Sequence, residues 1–225
     1  MSLVPCNVFT HSTAVMMRQF NIEPKYVMHI GAHDGIEADI YDLYEPEMVL
    51  WFECNKKVLP GLQTRLEGRK NHRFRNMCLW DKAGKELEFF FYRNEKDGAS
   101  GLFDNEKMFD HIHDCPIVGS TKVKTETFDN WADQYTHDNI ELRWNRTEFL
   151  NIDVQGAELN VFKGAHSLLS LDSLKHIWCE VSWDNVYKDA PLLVDIDLYL
   201  NKYGFERIHI RQDWAIHGDA LYRRT

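Results

Sequence analysis

The chain has 225 residues, 44% of them apolar and 27% charged, with a formal charge of −9 at neutral pH. That length suits one α/β domain over residues 1–225 with a substantial core, and the acidic balance argues against nucleic acid as a bulk partner, because a phosphate-backbone binder is basic. The longest apolar runs, such as Met48-Val49-Leu50-Trp51-Phe52, fall far short of the ~20 residues a membrane helix needs. The N-terminus lacks the basic stretch and apolar run of a signal peptide. A cytoplasmic protein, or a module of a larger multi-domain enzyme, is expected. Cys6, Cys54, Cys78, Cys115 and Cys179 show no CxxC pair and no zinc spacing, so they read as reduced, mostly buried thiols.

Residues 1–24 read as a helical extension, with Ser12 placed to cap a short helix. Tyr26-Val27-Met28-His29-Ile30 is a buried strand. Gly35 opens a segment with Ile36, Ile40, Leu43 and Tyr44 at helical spacing, stopped by Pro46. Residues 48–52 form a second buried strand closed by Glu53, residues 55–67 a helix containing Pro60, and residues 73–79 a third strand. The first third is therefore β-α-β-α-β, the pattern of a parallel sheet covered on both faces.

Residues 86–92 are strand-like and follow a turn signal at Ala83-Gly84; they are expected to add to the same sheet. Residues 94–120 mix glycines, Pro116 and many charges, a loop-rich stretch of the kind that walls functional sites. Within it His111-Ile112-His113 is better read as solvated loop than as a zinc site. Alternation resumes with a strand at 123–125, a helix at 128–135 and a strand at 148–152. A helix carrying Leu159, Phe162, Ala165 and Leu169 follows, then a strand at 177–181 and a helix at 192–203 stopped by Gly204. Residues 205–210 and 215–222 close the sheet as an antiparallel pair.

Ligands of open parallel sheets bind beyond the carboxyl ends of the strands. That rule selects Gly31-Ala32-His33-Asp34-Gly35, then Glu53, the stretch from Asn76 to Asp81, Asp153-Val154-Gln155-Gly156, and Glu180 with Ser182 and Trp183. The glycines are spaced GxxxG, unlike the GxGxxG of pyrophosphate binders, and no P-loop lysine follows. Glu53 lies 22 residues after Gly31, where a carboxylate accepts hydrogen bonds from a ribose diol. Turn and carboxylate together favour a nucleoside-containing cofactor over a plain structural turn.

Four stretches also resemble a known family. They are Val27-Met28-His29-Ile30-Gly31-Ala32-His33-Asp34-Gly35, Phe52-Glu53, Asn76 through Gly84, and Ile152-Asp153-Val154-Gln155-Gly156-Ala157-Glu158 with Phe162-Lys163-Gly164-Ala165. Over residues 25–210 the chain resembles FkbM-type methyltransferases. The resemblance implies a Rossmann-like class I fold, mostly parallel with an antiparallel C-terminal strand. It also implies S-adenosyl-L-methionine as cofactor and methyl transfer to a hydroxyl, often of a sugar or glycan. It would place Gly31, Ala32, His33, Asp34 and Gly35 against the methionine part. Glu53 would hold the ribose, with Cys54, Asn76 and Met77 near the adenine and Asp153, Val154 and Gln155 near the methyl group. His29 departs from the pattern, since that position is usually acidic; Asp34 or a water would then serve the cofactor's amino group.

An alcohol is a poor nucleophile at neutral pH, so transfer to it benefits from a base. Asp153, Glu158 and Glu180 are the candidates, with His166 read as a helix-surface residue. The structural alternatives are that Asp153 caps the next helix and that Glu158 merely complements its dipole. The three carboxylates would suit Mg²⁺, but metal-free base catalysis is the reading adopted. Ser182, Trp183 and Tyr187 are placed to contact the acceptor. Alternatives are a protein or lipid acceptor, or a non-catalytic cofactor-binding module.

Overall fold

The computed structural model describes residues 7–92, 100–103, 116–136, 142–184, 186–187, 189–213 and 216–225. The pair His111 and His113 lies outside them, as does most of the 94–120 stretch.

Seven strands form the main sheet: β1 (Tyr26–Ile30), β2 (Met48–Glu53), β3 (His72–Asn76), β7 (Phe149–Ile152), β8 (His176–Ser182), β9 (Phe205–Gln212) and β10 (His217–Arg224). Their spatial order is β3-β2-β1-β7-β8-β10-β9. The first five are parallel, and β10 runs antiparallel to both β8 and β9. The chain grows outward from β1 to β3 and then returns to β7 on the other side of β1. That reversal makes the gap between the ends of β1 and β7 the switch point of the sheet.

Alternate residues of each central strand feed two cores, which is why the strands read as unbroken apolar runs. Met28, Ile30, Leu50, Phe52, Leu150 and Ile152 pack beneath α4 (Phe128–Thr136), α5 (Glu158–Lys163), α6 (His166–Leu169) and α7 (Leu193–Leu200). Val27, Val49, Trp51 and Phe149 pack beneath α1 (Ser12–Phe20), α2 (Ala38–Asp42) and α3 (Leu59–Leu66). Among the described residues no helix is long and apolar enough to cross a membrane.

Several local expectations are corrected. The strand expected at 73–79 is two: β3 stays in the main sheet, and β4 (Cys78–Leu79) leaves it to pair with β6 (Ile117–Glu126). The strand β5 (Glu86–Tyr92) does not extend the main sheet but pairs antiparallel with β6, completing a three-stranded sheet ordered β4-β6-β5. Only some of its residues are buried, whereas β1, β2 and β7 are buried throughout; β5 has one face to cover, not two. Residues 117–120 of the loop-rich stretch belong to β6.

His11 rather than Ser12 caps α1, its ring accepting from the Thr13 amide. Pro60 sits in the first turn of α3, so that helix starts at Leu59 instead of 55. The helix expected through 159–169 breaks at Gly164, where a Cβ would stand 2.0 Å from the Trp80 carbonyl oxygen. Backbone contact at that point replaces a helical turn.

Candidate active site

The turn after β1 is fixed by close backbone approach. Gly31 has φ 87°, and a Cβ there would lie 1.7 Å from the carbonyl oxygen of Asp153. Gly35 has φ 73°, against Leu62 of α3. The Gly31 and Ala32 amides donate to Phe52 O at 2.9 and 3.0 Å, and the Asp153 amide donates to Ile30 O at 3.0 Å. Three strand ends are thereby tied into one rim.

Glu53 completes it. Its carboxylate accepts from the His33 amide at 2.7 Å and from the Asn55 amide at 2.6 Å. Burial raises its pKa, against the pull of those two amides. Asn76 donates to the Glu53 and Cys54 carbonyls at 2.8 and 3.3 Å. Asp34 turns toward α3, where Arg65 holds its side chain at 3.2 Å and its carbonyl at 3.0 Å. His33 first and Arg65 second keep that carboxyl below the usual range.

His29 points away from the turn, into the core. Its ring stacks on Trp51 at 4.8 Å and faces the Tyr41 hydroxyl through Nδ1 at 3.1 Å. That hydroxyl accepts from Asn151 at 2.9 Å. The ring also hydrogen-bonds the Gly31 backbone, and burial lowers its pKa to about 3. A neutral imidazole therefore braces the turn from below, where a carboxylate would have to be buried among aromatic rings.

Above the rim opens a cleft. Of the expected residues Gly31, His33, Glu53, Cys54, Met77, Asp153, Val154 and Gln155 line it, and Ala32, Asp34, Gly35 and Asn76 do not. Ser100 and Leu102 form part of its wall, with Leu79 and Phe89 from the small sheet. Leu79 falls in the selected stretch from Asn76 to Asp81, but Phe89, Ser100 and Leu102 were not selected, because the rule of strand ends says nothing about residues brought in from outside the main sheet.

Beside the cleft stand Asp153, Glu158 and Glu180, with one oxygen of each within 4.8 Å of the others. Such spacing is within reach of one divalent cation's oxygen shell. Glu158 is buried, and its Oε1 accepts from the Val154 and Gly156 amides at 2.9 and 3.3 Å. Burial, with the charge of Asp153, pushes its pKa up to about 8. Glu180 is raised well above the ordinary range by burial and then by Asp153, Glu158 and Asp219. Its charged form is thus the more strongly disfavoured of the pair it makes with Asp153. Asp153 is raised less, because Gln155, Glu180 and His33 oppose the burial.

Gln155 Nε2 donates to Asp153 Oδ1 at 2.5 Å and to Glu180 Oε2 at 3.2 Å, while the Tyr187 hydroxyl donates to Gln155 Oε1. Trp183, by contrast, packs on the helix-side core and its amide donates to Ile216 O at 3.0 Å. Ser182 ends β8 opposite His217. Asp153 does not cap α5, whose first turn is preceded by Ala157 with no side-chain cap. His166 lies on α6 with its ring bonded to the Tyr203 hydroxyl.

Sequence reasoning missed three further titratable groups. The β10 strand sets Asp219 opposite Glu180 and His217 Nδ1 3.9 Å from Glu180 Oε1. Glu37, raised to about 7 by burial and by Asp153 and Asp34, pairs with His11 at 3.6 Å. An antiparallel closing pair was legible, but not that its second strand would insert next to β8.

Residues 29–207 match the methyltransferase FkbM domain. The chain belongs to the FkbM methyltransferase family. It is accordingly an S-adenosylmethionine-dependent methyltransferase of class I architecture. The 2-O-methyltransferase NoeI of Sinorhizobium fredii (strain NBRC 101917 / NGR234) is 24% identical over 208 residues, which span 88% of this chain and 79% of NoeI. Among solved structures, the fold is similar to magnesium protoporphyrin IX methyltransferase of Synechocystis PCC 6803 with bound SAM. The TM-score is 0.51 at 11% identity, over 95% of this chain and 77% of that one. A SAM-dependent methyltransferase from Aquifex aeolicus gives a TM-score of 0.50 at 11% identity, over 99% and 94% of the two chains.

Proposed function

We propose that this methyltransferase transfers a methyl group to a hydroxyl of a sugar or glycan, with Asp153 as the general base. One observation carries the reading. Asp153 is the member of the carboxyl cluster that remains exposed to the cleft, at the switch point and directly against Gly31. Sugar as the acceptor class is supported by the 2-O-methyltransferase among its relatives.

The cleft suits the cofactor by its own chemistry. Bare backbone lines it at Gly31, a buried carboxylate at Glu53, and apolar side chains at Met77, Leu79 and Phe89. Gly31 and His33 would flank the methionine part, Glu53 the ribose, and Cys54 with Met77 the adenine. When bound, S-adenosylmethionine supplies a methyl group on sulfur that is already activated for in-line displacement. The chain's own residues then hold the acceptor in line, keep out water and take up one proton. Asp153 accepts that proton from the acceptor hydroxyl as the new oxygen–carbon bond forms. Ser182, Trp183 and Tyr187 follow on the acceptor side in this reading.

The cytoplasm is the proposed place of action, in keeping with free thiols at Cys54, Cys78 and Cys179. Calorimetric titration with S-adenosylmethionine, then methyl transfer to a panel of free sugars and glycans, tests the reading. Turnover on sugars that disappears in Asp153→Asn is the expected result. Transfer only to proteins or lipids, or an unimpaired Asp153→Asn enzyme, overturns it.

A further inference from the structure

We propose that Gln155 is a positioning residue, a clamp that holds Asp153 and Glu180 together and fixes which of them faces the acceptor as base. The proposal rests on the reading of Asp153 as that base.

The side chain spends both of its donor hydrogens, and one lone pair of its oxygen, on protein partners. An amide nitrogen offers two hydrogens, and one goes to Asp153 and the other to Glu180. Its oxygen takes the Tyr187 hydroxyl. Tyr187 is buried among acids, which pushes its own ionisation far up, so it remains a donor. An ionised Asp153 can only accept, so the amide nitrogen faces it and the Tyr187 hydroxyl is left to donate to the amide oxygen. The orientation is thus set by the network.

The backbone is built to keep it there. Gln155 has φ 56° and is followed by Gly156 at φ 90°. A residue other than glycine rarely adopts this conformation unless its surroundings hold it. Glu158 does so from one side, accepting the amides on both flanks of Gln155. Gly101 does so from the other, so close that a Cβ there would stand 3.0 Å from Gln155 Cβ. Gly101 is itself fixed by two backbone hydrogen bonds to Phe90, at 2.8 and 3.2 Å.

The consequence is an asymmetric acid pair. Asp153 receives hydrogen bonds from Gln155 and from the Glu180 carboxyl, and both favour its anion. Glu180 is surrounded by Asp153, Glu158 and Asp219, and they favour its neutral form. His33 on the turn and His217 on β10 are the basic groups that face this cluster, and Glu37 adds a further acid. Without the amide, Asp153 loses the closer of the two hydrogen bonds, 2.5 Å against 3.2 Å at Glu180, and with it part of what favours its anion.

The test is a titration of ¹³C-labelled aspartate carboxyls by NMR in the intact chain, with Asp153 assigned through Asp153→Asn. In Gln155→Met, which keeps length and removes both donors, the Asp153 midpoint is expected to rise by about one pH unit. Tyr187→Phe should move it in the same direction by less. Gln155→Glu serves as the second variant and should also raise it, since a carboxyl replaces the donor. Cofactor affinity should stay within about threefold. An unmoved midpoint in folded Gln155→Met or Gln155→Glu overturns the clamp. So does a cofactor affinity lowered more than tenfold, which would make Gln155 a ligand contact. The base reading fails separately, if Asp153→Asn keeps its rate while the midpoint still moves.

Discussion

Gly31 and Asp153 touch backbone to backbone: the space a Cβ would need on the first is filled by the carbonyl oxygen of the second, 1.7 Å away. The two residues end neighbouring strands, β1 and β7, so this contact sets how closely the sheet packs at its switch point. Gly31→Ala must separate those strands and also place alanine at φ 87°. The conformational strain alone costs about 1–3 kcal/mol. Urea unfolding should show a lower midpoint, and cofactor binding should be lost even where the variant is folded.

Glu53 offers one carboxylate oxygen to each of two amides, His33 and Asn55. Glu53→Gln keeps the shape but turns an NH₂ group toward one of those amide donors. Leaving such a donor unpaired costs about 1–3 kcal/mol. The turn should loosen, and calorimetry should record cofactor affinity at least tenfold weaker. Wild-type affinity would show that this carboxylate only shapes the backbone.

Two carboxyls, buried Glu158 and half-buried Glu37, make stability depend on pH. Glu37 is raised to about 7 and Glu158 to about 8, from 4.5 in both cases. Between pH ~4.5 and ~8 the folded chain therefore binds more protons than the unfolded chain, and stability falls as pH rises through that window. Glu158→Gln retains an oxygen for the Val154 and Gly156 amides but no longer ionises. Its melting temperature should exceed the wild type by about 2–4 °C at pH 8.5, an increment of about 1 kcal/mol. At pH 5 the difference should vanish. Parallel melting curves at all pH values would refute the assignment.

Methyl transfer should need no divalent cation. The Gln155 amide nitrogen lies between two of the three clustered carboxyls and presents a hydrogen where a metal's charge would have to sit. Exhaustive treatment with a chelator is expected to leave turnover within about twofold. Loss of activity restored by Mg²⁺ would show that the amide is displaced by an ion.

Much of this site can be read from the residues. Apolar runs on both faces of β1, β2 and β7 announce a parallel sheet, and the rule of strand ends then selects Gly31, Glu53 and Asp153. What escapes is what depends on partners remote in sequence. Nothing local in residues 86–92 says that they pair with β6 instead of the main sheet. Nor does Gly101 reveal that it will lie on Gln155. The mid-strand Glu180 looks like an oddity until Asp219 and Asp153 are seen beside it. His29 is the sharpest instance. The sequence marks it only as a departure at a usually acidic position, and pleating, which the chain order alone does not reveal, sends the ring to the Trp51 side of the sheet.

The position of β10 has a bearing on the order in which the protein comes to life at the ribosome. This strand lies between β8 and β9, so its slot must stay open after β9 has been made, with β8 lacking its outer neighbour. Asp219 and His217 reach the acid cluster only when that slot is filled. A nascent chain that has already formed the glycine turn and the β7 end still lacks Asp219 and His217 beside Glu180. The surroundings of Glu180 are thus completed by the last strand to be made.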